Sequence, residues 1–128
     1  MKKFILGGLL LFASVTGQAQ SSKTFIKSFV NSSNQVTIET ECTKVIKNWN
    51  NSYLRIYLTI ESNASESILG SLATAGRYDH VAKLENGVLI ITMPNLSRQV
   101  SIGGVPIIEK LTMEVFLPDS VTILQPSI

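Results

Sequence analysis

Residues 53–60 read Tyr-Leu-Arg-Ile-Tyr-Leu-Thr-Ile. This strict alternation puts Leu54, Ile56, Leu58 and Ile60 on one face of an extended chain and Tyr53, Arg55, Tyr57 and Thr59 on the other. A period of two fits a half-buried strand and not a helix, whose apolar positions recur every three to four residues. Residues 110–117 repeat the pattern, with Leu111, Met113, Val115 and Leu117 inward and Lys110, Thr112 and Glu114 outward. The chain is therefore expected to be mostly β.

Shorter strand-prone runs lie at residues 24–30, 35–41, 43–49 and 121–124, and Asn31-Ser32-Ser33-Asn34 between the first two favours a turn. Asn86-Gly87 separates residues 78–84 from residues 88–93. That pair accepts the positive φ angles of a type I′ turn, so a hairpin is predicted there, with Pro94 ending its second strand by removing a ladder donor. One segment departs from the period. Over residues 65–75, Ile68, Leu69 and Leu72 fall at helical spacing, Asn63 and Glu66 resemble a capping box, and Gly76 stands where a C-terminal glycine belongs. The spacing predicts one short helix against the sheet, and the stretch 97–106 with Gly103-Gly104 reads as a loop. The fold expected is all-β, a small two-layer sandwich or short β-roll with that helix.

The first nineteen residues read as a separate unit. Lys2 and Lys3 precede an apolar stretch over residues 4–15, and Gly17-Gln18-Ala19 supplies the small residues that a signal peptidase accepts. Twelve apolar residues reach only about 18 Å as a helix, short of a hydrocarbon core of about 30 Å. A secretory signal over 1–19 and a single β-rich domain over 20–128 are expected, with no membrane span after cleavage. Cys42 is the only cysteine, so neither a lipid anchor at the new N-terminus nor an internal disulfide is expected, and the location implied is periplasmic or secreted. The chain has eleven basic and nine acidic residues. Lys2 and Lys3 leave with the signal, so nine of each remain, and bulk charge gives no reason to expect nucleic acid or an anionic membrane as partner.

Residues that carry chemistry are few. His80 is the only histidine, and its neighbour Asp79 points to the opposite face of a strand. A hydrolytic triad would need an acid such as Asp119 to converge on it. One His and one Cys cannot supply the three or four ligands of a zinc site, so neither metal nor cofactor is expected. Gly103-Gly104 lacks the fixed glycine offsets and following helix of a phosphate loop. Glu39 and Glu41 would lie about 7 Å apart on one strand face, wide for a retaining glycosidase. Trp49, Tyr53 and Tyr57 flank an Asn-rich turn over residues 48–51. They are the candidate surface-binding residues, able to stack on sugars or a partner protein, although Tyr and Trp are common half-buried strand residues, which favours their forming the second face of a sandwich.

Several runs carry a resemblance. They are Ala75-Gly76-Arg77-Tyr78, residues 85–95 from Glu85 to Asn95, Val100-Ser101-Ile102-Gly103-Gly104, and Glu114-Val115-Phe116-Leu117-Pro118. Together they resemble exported β-rich proteins of Bacteroidetes related to adhesin domains of the DUF4097 and DUF2807 type. The likeness implies a β fold and an adhesin-like role with no established activity. Residues 86–94 also look like the central hairpin of small heat-shock sandwiches. The function expected is a non-enzymatic, exported binding or structural module whose partner is a protein or glycan of the cell envelope. The alternatives are a small hydrolase around His80 and a periplasmic chaperone-like sandwich.

Overall fold

The computed structural model describes residues 21–124. The expected signal over residues 1–19 and the tail after Leu124 lie outside the described residues. In chain order come β1 (Ser21–Val30), β2 (Gln35–Ile38), β3 (Thr43–Trp49), β4 (Tyr53–Ser62), helix α1 (Glu66–Thr74), β5 (Val81–Glu85), β6 (Val88–Thr92), β7 (Ser101–Ile102), β8 (Val105–Pro106), β9 (Glu109–Pro118) and β10 (Thr122–Leu124). The first sheet has the order β1-β4-β9-β3 and the second β10-β2-β6-β5, while β7 and β8 form a separate small hairpin. The architecture is the all-β sandwich with one short helix that the alternation predicts.

The alternating runs fill the space between the sheets. Leu54, Ile56, Leu58 and Ile60 of β4 and Met113, Val115 and Leu117 of β9 are buried against Val36 and Ile38 of β2 and Leu89 and Ile91 of β6. Leu69 of α1, Tyr78 and Val121 close the core, and Cys42 packs half-buried at its edge. Each sheet is mixed. β4 runs antiparallel to both β1 and β9, but β3 pairs parallel with β9, and β2 pairs parallel with both β6 and β10. These parallel ladders arise because the chain changes sheets between paired strands.

The Asn86-Gly87 hairpin forms as predicted, with φ values of 52° and 79° and Glu85 paired to Val88. Its first strand starts at Val81 and not at Tyr78, because Tyr78 turns into the core and is fully buried. The helix also forms, but its cap is Ser65, whose Oγ accepts from the Ile68 N–H at 3.2 Å. Asn63 serves elsewhere, since its Oδ1 accepts from the Ile108 N–H at 2.8 Å and so ties the approach to β9 to the end of β4. Gly76 takes the positive φ of 96° expected after the helix. Residues 97–106 are more ordered than a plain loop: a 3-10 turn at Pro94–Ser97 leads to β7 and β8, joined by Gly103 and Gly104 at φ 59° and 81°. β2 ends at Ile38, so Glu39 and Glu41 share no strand face.

Candidate functional site

Residues paired across a ladder point to the same side, so the register fixes what the outer face of the first sheet displays. One row across the four strands is Ser28, Arg55, Phe116 and Lys47, and the next is Ile26, Tyr57, Glu114 and Val45. A third is all threonine, Thr24, Thr59, Thr112 and Thr43, with the Thr24 and Thr59 hydroxyls 2.9 Å apart. At the end of the sheet stand Val30 beside Tyr53 and Trp49 beside Pro118.

Trp49, Tyr53 and Tyr57 thus lie on the outer surface and not between the sheets, and Phe116 joins them. The Trp49 ring centroid is 5.1 Å from Tyr53, edge to face, and 5.0 Å from Phe116, which in turn lies 5.7 Å from Tyr57. The Trp49 indole N–H donates to the Tyr53 carbonyl at 2.9 Å. Arg55 lies 5.2 Å from the Tyr53 ring and 5.8 Å from that of Trp49, within cation–π range, and its Nε–H donates to Ser28 Oγ at 3.1 Å. Among the described residues no carboxylate forms an ion pair with Arg55, whereas Lys47 is paired with Glu114 at 2.6 Å. Around the rings Ile26, Val30 and Val45 are 57, 82 and 46% exposed. The result is an aromatic and aliphatic face carrying one uncompensated guanidinium. Phe116 was detectable in the sequence only by parity, as it alternates with Met113, Val115 and Leu117.

His80 sits on the other side of β1. Its Nδ1 is 3.1 Å from the Tyr78 carbonyl and its ring lies 5.8 Å from Phe29. Burial, reinforced by the nearby positive charge of Lys27, lowers its pKa to about 4, so the ring is neutral at pH 7. The imidazole bonds to a carbonyl and not to a carboxylate, and Asp79 is exposed. The base–acid bond of a triad is therefore not made at this ring. Cys42 has its thiol pKa raised by burial against the opposing effect of Lys44. Among the described residues no group of three or more His, Cys, Asp or Glu is placed to hold a metal ion.

Arg77, Tyr78 and Glu109 form a buried ionic cluster that no local sequence pattern marks. Arg77 donates to both carboxylate oxygens of Glu109, from Nε at 3.0 Å and Nη2 at 2.7 Å, and from Nη1 to the Arg98 carbonyl at 2.6 Å. The Tyr78 hydroxyl donates to the same carboxylate. Both charged side chains are only 9% exposed. Burial opposes ionisation of Glu109, but the hydrogen bonds from Arg77 and Tyr78 outweigh it and hold its carboxyl below the usual range. Burial and the adjoining carboxylate push the Tyr78 phenol up. Every polar atom here is directed at a neighbouring segment, so the cluster fastens the chain after α1 to the start of β9 and the loop at Arg98.

No family model matches the chain, and no curated protein matches it. A solved structure of a candidate cell adhesion protein from Clostridium sporogenes overlaps with it at 14% identity and a TM-score of 0.42, covering 81% of this chain. The overlap spans 45% of that protein's length.

Proposed function

We propose that the chain is an exported, non-enzymatic binding module of the cell envelope, adhesin-like in role, that meets its partner through the outer face of the first sheet. The observation that carries this reading is the cluster of Trp49, Tyr53, Tyr57 and Phe116 around Arg55, bordered by exposed Ile26, Val30 and Val45. Rings combined with an arginine are the residue types enriched where proteins bind, and a contiguous apolar face is a usual mark of such a surface. Export rests on the signal-like residues 1–19, and the partner is a protein or glycan of the envelope. The test is capture from a cell-envelope extract on immobilised protein, with Tyr57→Ala and Arg55→Ala as comparators. A saturable partner lost in both variants supports the reading. Retention by both variants at the wild-type level would move the contact surface elsewhere, and turnover of a substrate without any capture would make the chain an enzyme.

A further inference from the structure

At one end of the first sheet four strand ends converge: β1 stops at Val30, β3 at Trp49 and β9 at Pro118, and β4 begins at Tyr53. Because β9 lies between β3 and β4, the three residues Asn50, Asn51 and Ser52 must carry the chain over the end of β9. They cross two inter-strand gaps, about 10 Å. Asp119 and Ser120 leave β9 on the other side toward the second sheet. Between these connections lies a shallow, open depression of about 430 Å³.

The lining narrows the ligand class. It holds the Trp49 indole, the Pro118 ring, the amides of Asn31, Asn50 and Asn51, serine hydroxyls and one carboxylate, Asp119, with no Lys or Arg. Among the lining residues an anionic ligand would meet one charge, the carboxylate of Asp119, and the cation beside them is Arg55, 5.8 Å from the Trp49 ring on the outer face of the sheet. A calcium ion would find amide and hydroxyl oxygens but one carboxylate alone to balance its two charges. An acyl chain would find no extended apolar wall. Amides and hydroxyls donate and accept, and a carboxylate accepts twice, which matches vicinal hydroxyls. An indole offers a flat apolar surface to the C–H face of a sugar ring. The ring is held in place before any ligand arrives, by its N–H bond to the Tyr53 carbonyl and by contact with Tyr53 and Phe116. The amides are uncommitted: among the described residues no side-chain hydrogen bond involves Asn50, Asn51 or Asp119, and the buried Oδ1 of Asn31 meets no donor.

We infer that this cleft, with Trp49 as its stacking surface and Asn31, Asn50, Asn51 and Asp119 around it, binds a neutral hexopyranose unit. The inference rests on the binding-module reading and gives it a ligand class and a second contact point, at the end of the aromatic face.

Trp49 is the only tryptophan in the chain, so its emission reports on this cleft directly. Purified protein is titrated with glucose, galactose, mannose and N-acetylglucosamine and with their linear trimers. The range extends to about 10 mM, where ligands of millimolar Kd approach saturation. The expected result is a saturable change in emission with one of these sugars, stronger for the trimer. Asn31→Ala and Asp119→Ala should each weaken binding tenfold or more, Asn51→Ala should behave alike, and Lys83→Ala, exposed on β5 of the second sheet, should leave it within about twofold. Circular dichroism and the melting temperature show that each variant is folded. A response to calcium chloride in place of the sugars, lost in Asp119→Asn, would overturn the inference in favour of a cation site. Silence toward all the sugars, with envelope capture intact and indifferent to Asn31→Ala, would overturn the cleft and leave the module reading standing. Silence with no capture at all would remove both.

Discussion

Changing Glu109 to Gln keeps the shape of the side chain and removes its charge, leaving the Arg77 guanidinium 9% exposed without a counter-ion. The amide accepts one of the two guanidinium hydrogen bonds and in either orientation turns its N–H₂ toward an Arg77 N–H, donor against donor. Removing one partner of a buried, bidentate pair costs about 3–5 kcal/mol, a large share of the roughly 5–15 kcal/mol that holds a domain of this size together. At about 4–8 °C per kcal/mol, the melting temperature should fall by about 12 °C or more. Arg77→Met should lose a similar amount, because it strands Glu109 instead. The double variant Arg77→Met/Glu109→Leu should be more stable than either single one, since replacing a whole buried pair by apolar groups is often neutral. It should not regain the wild-type value, because the Tyr78 hydroxyl and the Arg98 carbonyl each lose a partner. Urea titrations followed by far-ultraviolet circular dichroism measure all four proteins. Losses below about 1 kcal/mol in both single variants would match a surface pair and would refute the assignment of this cluster as a buried fastening.

Four further outcomes are expected. His80 has its pKa lowered to about 4 in the fold against about 6.5 unfolded, so the fold prefers the neutral ring. Its stabilising effect is complete above pH 6.5 and is lost as pH falls toward 4, by about 2–3 kcal/mol after allowance for partial exposure. Urea midpoints between pH 7 and 4 should decline in the wild type and stay flatter in His80→Phe, with Lys27 and Asp79 the charges beside the ring; equal slopes would refute this. Gly87→Ala meets no atom within 4 Å of its new Cβ but sits at φ 79°, so it should lose about 1–2 kcal/mol purely through backbone strain. Ser65→Ala removes the cap on the Ile68 N–H and should lose about 1 kcal/mol, while Asn63→Ala should leave the helix cap intact. Cys42, whose thiol pKa is raised chiefly by burial, should react with a disulfide reagent at pH 8 much more slowly when folded than in urea; equal rates would mean an open thiol.

The half of the fold written in local periods was legible. Leu54 to Ile60 and Leu111 to Leu117 alternate because one face is buried and the other is not, and Asn86-Gly87 marks its turn by the φ angles that those residues tolerate. The order of strands was not legible. Nothing local in Thr43 or Thr112 records that the two stand side by side, since pairing between distant segments depends on the whole packing. Arg77 and Glu109 looked like ordinary surface charges because the segments that bury them are far apart in the chain. Asn63 and Ser65 are both competent helix caps by residue type, and only the backbone direction decides between them. Of the candidate site, Trp49, Tyr53 and Tyr57 were readable as a group near one turn. Phe116 on the face was marked only by its parity in β9, and Asn31 and Asp119, which follow the ends of β1 and β9, carried no sign that they stand near Trp49.

The place of β9 has a consequence for how the molecule comes to be folded. It is among the last strands in the chain and yet stands inside the first sheet, between β3 and β4. Until it arrives, β3 has no neighbour in its sheet and one edge of β4 is bare. The β5–β6 hairpin can close early, but the larger sheet must wait for a long-range search that is slow in β proteins of high contact order. During that interval the apolar rows of β4 and the unpaired edge of β3 are open to other chains. A faster insertion of β9 therefore shortens the exposure of these surfaces without changing any contact of the finished fold.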